Sequence, residues 1–240
     1  MAVLDPDLLL RAYSVGVFPM ASTRDAADVF WVEPKKRGVL PLDRFHLSRS
    51  LAKTIRSDRF QVTVDQAFGQ VVALCAEATA DRPDTWINPD IETAYGELHR
   101  RGYAHSVETW QDGQLVGGLY GVRLGAAFFG ESMFSRVRDA SKVALAYLVA
   151  RLKVGGFRLL DCQFLTEHLA SLGTIEVDRQ AYVALLDTAL GLGSLPSGEA
   201  AAAPADFFAL DRGAAGADEA ATVSGPASGW RIVQLLGQTS

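Results

Sequence analysis

The sequence predicts an α+β protein with a small N-terminal domain (residues 1–36), a larger domain (residues 37–190) and a tail (residues 191–240). Three strand-like segments follow one another closely in the middle of the chain, and apolar residues at helical spacing lie before and after them. The last fifty residues hold twelve alanines and eight glycines but few large apolar side chains. We therefore expect a low-complexity tail that builds no core and is partly disordered.

The first half of the chain predicts helices around one short strand. A helix over residues 7–13 ends before Gly16 and Pro19, which stop helices. Leucine and isoleucine at spacings of four, with basic residues between them, indicate a basic helix over residues 46–56. Three further elements are predicted here: a strand over residues 60–64, a helix capped by Asp65 and a helix over residues 89–101.

The second half predicts the sheet. Strands are expected over residues 104–110, 114–122 and 126–134, and Asp112-Gly113 between the first two is a strong hairpin signal. The later elements are a helix over residues 140–154, a strand over 157–164, a helix over 166–172, a strand over 174–177, a helix over 179–190 and strand character over 230–236. This order resembles the acyltransferase fold of the GNAT superfamily.

Composition excludes several classes of protein. With 240 residues, 49% of them hydrophobic and 21% charged, the chain is an ordinary globular protein and not a collagen-like or disulfide-rich one. It lacks a run of about 18 apolar residues and the features of a signal peptide, which predicts a cytoplasmic protein without a membrane partner. Cys75 and Cys162 form no metal-binding pair, so we expect no metal site.

Positive charge is concentrated in one segment. Residues 35–59 hold eight basic and two acidic residues, although the whole chain has a net charge of −5. Such a patch on an acidic protein is typical of a polyanion-binding surface, and RNA is the partner we expect. A solvated basic face without a partner is the alternative. The predicted phosphate contacts are Arg37, Arg49, Lys53 and Arg56.

Three polar residues lie within otherwise apolar strands. Glu131 is surrounded by apolar residues in the third central strand, where an acid is costly unless it is paired or used. Asp161 and Gln163 lie two apart on a later strand, so their side chains share a face. The turn Ser135-Arg-Val-Arg-Asp-Ala-Ser141 contains no glycine to admit a pyrophosphate, which argues against coenzyme A.

Seven segments, in order, resemble the leucyl/phenylalanyl-tRNA–protein transferase family over residues 5 to about 190. They are Ala12-Tyr-Ser-Val-Gly-Val-Phe-Pro19, Phe45-His-Leu-Ser-Arg-Ser-Leu51, Thr85-Trp-Ile87, Ala104-His-Ser-Val-Glu108, Leu115-Val-Gly-Gly-Leu-Tyr-Gly121, Gly130-Glu-Ser-Met-Phe-Ser135 and Asp161-Cys-Gln163. The resemblance implies transfer of Leu or Phe, and less well Met, from aminoacyl-tRNA to proteins that begin with Lys or Arg. It also implies that these proteins are marked for degradation and that no cofactor is needed.

The resemblance also assigns site residues. The catalytic group would be Glu131, Asp161 and Gln163, and Trp86 would stack on the terminal adenosine of the tRNA. Met20 stands where the family has a second tryptophan, and Thr166 stands where it has an asparagine. The amino-acid pocket would consist of Leu119, Phe128, Met133, Leu148, Leu152 and Leu160.

The residues fit this chemistry in more than one way. An α-amino group with a pKa of about 7.7–8.0 must lose a proton before it attacks an ester, and a nearby carboxylate can take that proton. We expect Asp161 to hold the amine through Gln163 and Glu131 to attract a cationic acceptor. A true base, an orienting pair and attack assisted by a hydroxyl of the tRNA all stay open. So do two other classes, an acyltransferase with another donor and a non-catalytic RNA-binding module.

Overall fold

The computed structural model describes residues 4–78, 84–192, 204–212 and 227–237. Its helices are α1 (Pro6–Ser14), α2 (Arg49–Arg56), α3 (Phe68–Ala76), α4 (Pro89–Arg100), α5 (Ala140–Val154), α6 (Glu167–Ala170), α7 (Arg179–Leu190), α8 (Ala209–Arg212) and α9 (Gly229–Gly237). Its strands are β1 (Phe18–Ala21), β2 (Val29–Val32), β3 (Lys36–Val39), β4 (Gln61–Val64), β5 (Ala104–Gln111), β6 (Gln114–Leu124), β7 (Ala127–Ser135), β8 (Leu159–Gln163) and β9 (Ile175–Asp178).

Seven strands form one mixed sheet in the order β4-β5-β6-β7-β8-β3-β9. Strands β7 and β8 are parallel, and the other neighbours are antiparallel. The hairpin between β5 and β6 turns at Asp112 and Gly113, which both have positive φ, as the sequence predicts. The α+β class is thereby confirmed.

Two cores cover the two faces of this sheet, because successive residues of a strand point to opposite sides. On β6, Leu119 enters a core with α2 and α5, whereas its neighbour Tyr120 enters a core with α1, α3, α4 and α7. On β7, Phe128 and Phe129 divide in the same way. The sheet therefore separates the two groups of helices. The predicted site residues Glu131 and Gln163 lie where strands β7 and β8 are no longer paired.

The N-terminal part contains three strands that the periodicity does not reveal. Strands β1 and β2 form a separate antiparallel pair, and β3 joins the large sheet between β8 and β9. Helix α2 begins at Arg49, three residues later than predicted, because the Ser48 hydroxyl accepts the N–H of Leu51 and caps the helix there.

The C-terminal part corrects two expectations. Residues 230–236, predicted to have strand character, lie in helix α9, where Ile232, Val233 and Leu236 on one face are buried against α2 and α5. The segment 204–212 also adds Phe207 and Leu210 to the core, so the prediction that the tail builds no core is wrong for these residues. The rest of the predicted tail beyond Leu192 lies outside the described residues.

Candidate active site

A cavity opens where β7 and β8 part. The two strands pair only from Ala127 with Leu159 to Phe129 with Asp161, and both continue beyond that point. The cavity between them has a volume of about 340 Å³, within the range of small-molecule sites. Most of its wall is apolar, and the lining residues that were also predicted as site residues are Met20, Trp86, Leu119, Glu131, Met133, Leu148, Leu160, Gln163 and Thr166.

A β-bulge places Glu131 in the wall of this cavity. Tyr120 pairs with Ser132 and the next residue, Gly121, pairs with Gly130, so Glu131 is the extra residue on β7. A Cβ atom at Gly121 would lie 2.3 Å from the carbonyl oxygen of Phe129, so glycine is needed for this close approach. The bulge thus breaks the strand alternation at the residue that carries the charge.

Three side chains donate hydrogen bonds to the Glu131 carboxylate. Oε1 accepts the Tyr13 hydroxyl at 2.7 Å and Nε2 of Gln163 at 2.9 Å, and Oε2 accepts the Tyr95 hydroxyl at 2.9 Å. The two tyrosine hydroxyls also contact each other. Burial raises the pKa of Glu131 to about 7, and the three hydrogen bonds oppose that shift. A carboxyl group with this pKa can exchange a proton at neutral pH.

Gln163 is held in an uncommon backbone conformation. Its φ of 62° lies in the left-handed region, which few residues other than glycine occupy. The backbone N–H of Gln163 donates to Oδ1 of Asp161 at 2.7 Å, which fixes this conformation, and the side-chain amide reaches Glu131. Gln163 is therefore oriented from both ends, by Asp161 through its backbone and by Glu131 through its side chain.

Asp161 forms a fully buried ion pair with Arg37. Nε and a terminal nitrogen of Arg37 donate to the carboxylate at 2.6 to 3.0 Å, and the Tyr182 hydroxyl donates to Oδ2 at 2.8 Å. The other terminal nitrogen of Arg37 donates to the carbonyl of Gly16 at 2.9 Å. Asp161 and Gln163 share a face of β8 as predicted, but Asp161 lies outside the cavity wall with its charge neutralised.

The position of Arg37 contradicts its prediction as a phosphate contact. Its guanidinium lies 4.6 Å from the ring centres of Phe18 and Tyr182 and is only 1% exposed. A side chain enclosed in this way cannot reach a phosphate, so the prediction for Arg37 is wrong. The other three predicted contacts, Arg49, Lys53 and Arg56, are exposed on α2.

Two predicted pocket residues also lie elsewhere. Phe128 is fully buried and stacks on Phe207 with 5.6 Å between ring centres, and Leu152 is buried in the same core. Both lie outside the cavity wall, so their prediction as lining residues is wrong. The reason is that apolar strand and helix positions look alike in the sequence whether they face a core or a cavity.

The predicted adenosine-binding pair meets at one side of the cavity. Met20 and Trp86 both line it, and the N–H of Ala21 donates to the carbonyl of Trp86 at 3.1 Å, which ties β1 to the segment before α4. Thr166 lines the cavity as well and caps α6, since its hydroxyl accepts the N–H of Leu169 at 3.2 Å. An asparagine can form the same cap, so this substitution preserves the start of α6.

Several site residues were missed in the sequence. Tyr13 and Tyr95 lie on the inner faces of predicted helices. A buried hydroxyl needs a hydrogen-bond partner, and this requirement could have indicated that the two tyrosines contact a buried polar group. Leu145, Leu169, His168 and Cys162 also line the cavity. Burial lowers the pKa of His168 and raises the pKa of Cys162 to about 12, so neither carries charge at neutral pH.

No group of three or more His, Cys, Asp or Glu side chains among the described residues is placed to hold a metal ion. None of the helices in the described ranges is long and apolar enough to cross a membrane.

The fold and the site define an α+β protein with an apolar pocket beside a buried carboxylate and an amide, which suits it to the transfer of an apolar acyl group. Residues 39–187 match the profile described as leucyl/phenylalanyl-tRNA protein transferase, and residues 2–35 match that of the N-terminal domain of the same protein. The chain belongs to the leucyl/phenylalanyl-tRNA–protein transferase family. It is an aminoacyltransferase whose substrates are aminoacyl-tRNA and proteins.

Similar proteins cover the whole chain. The leucyl/phenylalanyl-tRNA–protein transferase of Rhizorhabdus wittichii is 70% identical over 249 aligned residues, and that of Phenylobacterium zucineum is 55% identical over 240, with full coverage of both chains in each case. The transferase of Zymomonas mobilis is 66% identical over 188 residues, which are 78% of this chain and 70% of the relative. Among solved structures, FemX matches with a TM-score of 0.47 and 11% identity over 72% of this chain and 66% of its own.

Proposed function

We propose that this cavity binds the side chain of leucine or phenylalanine, and less well methionine, while the amino acid is esterified to its tRNA. The observation that carries the proposal is the position of Glu131, a buried carboxylate in the wall of a mostly apolar cavity. Leu119, Met133, Leu148 and Leu160 supply the apolar surface for the donor side chain. Trp86 and Met20 would contact the terminal adenosine, with weaker stacking at Met20 than an aromatic ring provides.

The proposed acceptor is the α-amine of a protein that begins with Lys or Arg. Such a terminus carries two cationic groups, and Glu131 is the acidic residue among the side chains that line the cavity. Attraction to this carboxylate favours a doubly cationic terminus over a neutral or acidic one. The product begins with Leu or Phe, and we propose that this new terminus marks the protein for degradation by the N-degron pathway.

In the reaction, the neutral amine attacks the ester carbonyl carbon. A C–N bond forms, and the bond between the carbonyl carbon and the ribose oxygen of the tRNA breaks. We propose that Glu131, with a pKa of about 7, takes the proton from the attacking nitrogen and returns it to the leaving ribose oxygen. Gln163 fixes the Glu131 carboxylate, and Asp161 is a positioning residue that acts through the backbone of Gln163.

This assignment changes the roles expected for the two acids. Asp161 accepts five donated hydrogen bonds, including those from Arg37, and lies outside the cavity. Glu131 lines the cavity, and its pKa of about 7 allows it to accept a proton at neutral pH. Glu131 is therefore the better candidate for direct action on the amine. Aminoacyl-tRNA is a cytoplasmic donor, so the proposed reaction takes place in the cytoplasm without coenzyme A.

A label-transfer assay tests the function. The enzyme is incubated with tRNA carrying radiolabelled leucine and with peptides that differ only in their first residue, Lys, Arg or Glu. We expect label in the Lys and Arg peptides, little in the Glu peptide and none in a Lys peptide whose α-amine is acetylated. Equal labelling of the Glu peptide would refute the acceptor assignment, and activity only with acyl-coenzyme A would refute the donor assignment.

A further inference from the structure

Helices α2 and α9 form one continuous surface. The N–H of Gly229, at the start of α9, donates to Oδ1 of Asp58 at 2.8 Å, just beyond the end of α2. A Cβ atom at Gly229 would lie 2.0 Å from the carbonyl oxygen of Ile55, so only glycine allows this approach. Ile232 and Val233 are buried beneath. Helix α9 is thus fixed against the basic helix, and an open groove runs between them.

Trp230 is the most unusual residue on this surface. It is 66% exposed, whereas a tryptophan with a structural role is usually buried. The guanidinium of Arg56 lies 5.2 Å from its ring centre, a cation–π distance. The groove beside it is lined by both residues and by Arg49. An exposed aromatic ring beside an arginine is a typical platform for a nucleobase.

The charge of the surface favours a polyanion. Arg49, Lys53 and Arg56 lie at spacings of four and three on α2, so they share one exposed face. Within the described residues, none of these three has an acidic partner. Uncompensated cations of this kind repel a basic partner protein and attract phosphates.

We propose that α9 extends the predicted tRNA-contact face of α2, and that Trp230 stacks on an unpaired base of the tRNA beside the phosphates that Arg49 and Arg56 contact. This inference rests on the proposed function, because it requires tRNA to be the donor. The base lies outside the cavity that holds Trp86 and Glu131, since the groove shares no lining residue with that cavity. The C-terminal helix therefore selects whole tRNA, beyond the aminoacylated end.

The test measures how the wild type and the Trp230→Ala variant bind and use two different donors. One donor is intact leucyl-tRNA. The other is adenosine esterified with leucine, which can occupy the cavity but is too small to reach the α2–α9 groove at the same time. We expect about tenfold weaker binding of the tRNA, in line with the loss of one stacked base, and a similarly raised KM for leucyl-tRNA. Transfer from leucyl-adenosine stays at the wild-type rate, which shows that the cavity and the proposed reaction are intact.

Two variants keep the test decisive. Trp230→Phe retains an aromatic face, so it restores most of the tRNA affinity and also serves if Trp230→Ala proves unstable. Tyr103→Ala removes an exposed aromatic ring from the residue just before β5 and leaves affinity unchanged. Wild-type affinity and KM for leucyl-tRNA in a folded Trp230→Ala variant would overturn the proposal. So would an equal loss with both donors. A change of oligomeric state in sedimentation with tRNA affinity unchanged would also overturn it, because the surface would then be an interface between two copies of the chain.

Discussion

The side-chain amide of Gln163 donates a hydrogen bond to Oε1 of Glu131 at 2.9 Å, across the gap where β7 and β8 part. This bond joins the two strands at the point where their backbone pairing has ended. It also holds a buried carboxylate in one orientation at the cavity wall. The site therefore depends on a glutamate whose charge is costly to bury.

Glu131→Gln should stabilise the protein at alkaline pH. Burial raises the pKa of Glu131 from 4.5 to about 7, so the folded state binds a proton that the unfolded state has lost between these pH values. Stability therefore falls as pH rises from about 4.5 to 7 and then levels off. The variant should gain about 3 kcal/mol at pH 8 and little at pH 4, measured by urea unfolding. Glu33→Gln, an exposed control, should show no such trend, and an equal gain at both pH values would contradict the prediction.

Arg37→Met should destabilise the protein strongly. The substitution leaves Asp161 buried without its cation, and breaking a buried pair in this way costs about 3–5 kcal/mol. Adding Asp161→Asn removes the stranded charge, so the double variant should lose less than the sum of the two singles. Lys36→Met, which breaks the exposed pair with Glu176 on the same strand, should leave the melting temperature unchanged. Additive losses in the double variant would show that the two residues act independently.

Leu148→Ala should change the choice of donor. Leu148 lines the cavity, so removing its side chain makes room for a larger ligand. The ratio of kcat/KM for phenylalanyl-tRNA over leucyl-tRNA should rise about tenfold, the scale at which apolar pockets discriminate. Leu152→Ala, one turn further along α5 and outside the cavity, should cost about 2–5 kcal/mol of stability and leave the ratio unchanged. The same ratio in both variants would show that Leu148 does not contact the donor.

Arg49→Ala with Lys53→Ala should weaken the salt dependence of tRNA binding. Each phosphate contact releases counterions, so the loss of two contacts should flatten the slope of log affinity against log salt by about 1.5. Arg11→Ala with Arg100→Ala removes two exposed charges from α1 and α4 and serves as the matched control. Equal slopes in the two double variants would assign α2 to a solvated face.

The sequence predicts the central hairpin, the long helices and the polar residues of the site, because period and turn chemistry are local properties. The bulge at Glu131 is not local: it depends on the register of β6 against β7 and on the close approach at Gly121. Arg37 looks like a surface cation in a basic segment. Only the three-dimensional structure shows that it forms a buried ion pair with Asp161, which lies far along the chain.

Helix α9 illustrates the other limit. Its β-branched residues favour a strand by local propensity, but burial of Ile232, Val233 and Leu236 requires the helical spacing of one face. Tertiary packing on α2 decides the outcome. The same packing places Trp230 beside Arg56, a relation that separations along the chain cannot reveal.

The role of Glu131 is tested most directly by the dependence of kcat/KM on pH. It is measured for the wild type and for Glu131→Gln, with leucyl-tRNA as donor and a Lys-initiated peptide as acceptor. For the wild type we expect a rise through pH 7 from Glu131 and a second one near pH 8 from the amine. Glu131→Gln should be about 10²–10⁴ times slower, keep only the rise from the amine and bind tRNA with unchanged affinity. A variant with the wild-type rate and profile would contradict the assignment of Glu131 as the group that acts on the amine.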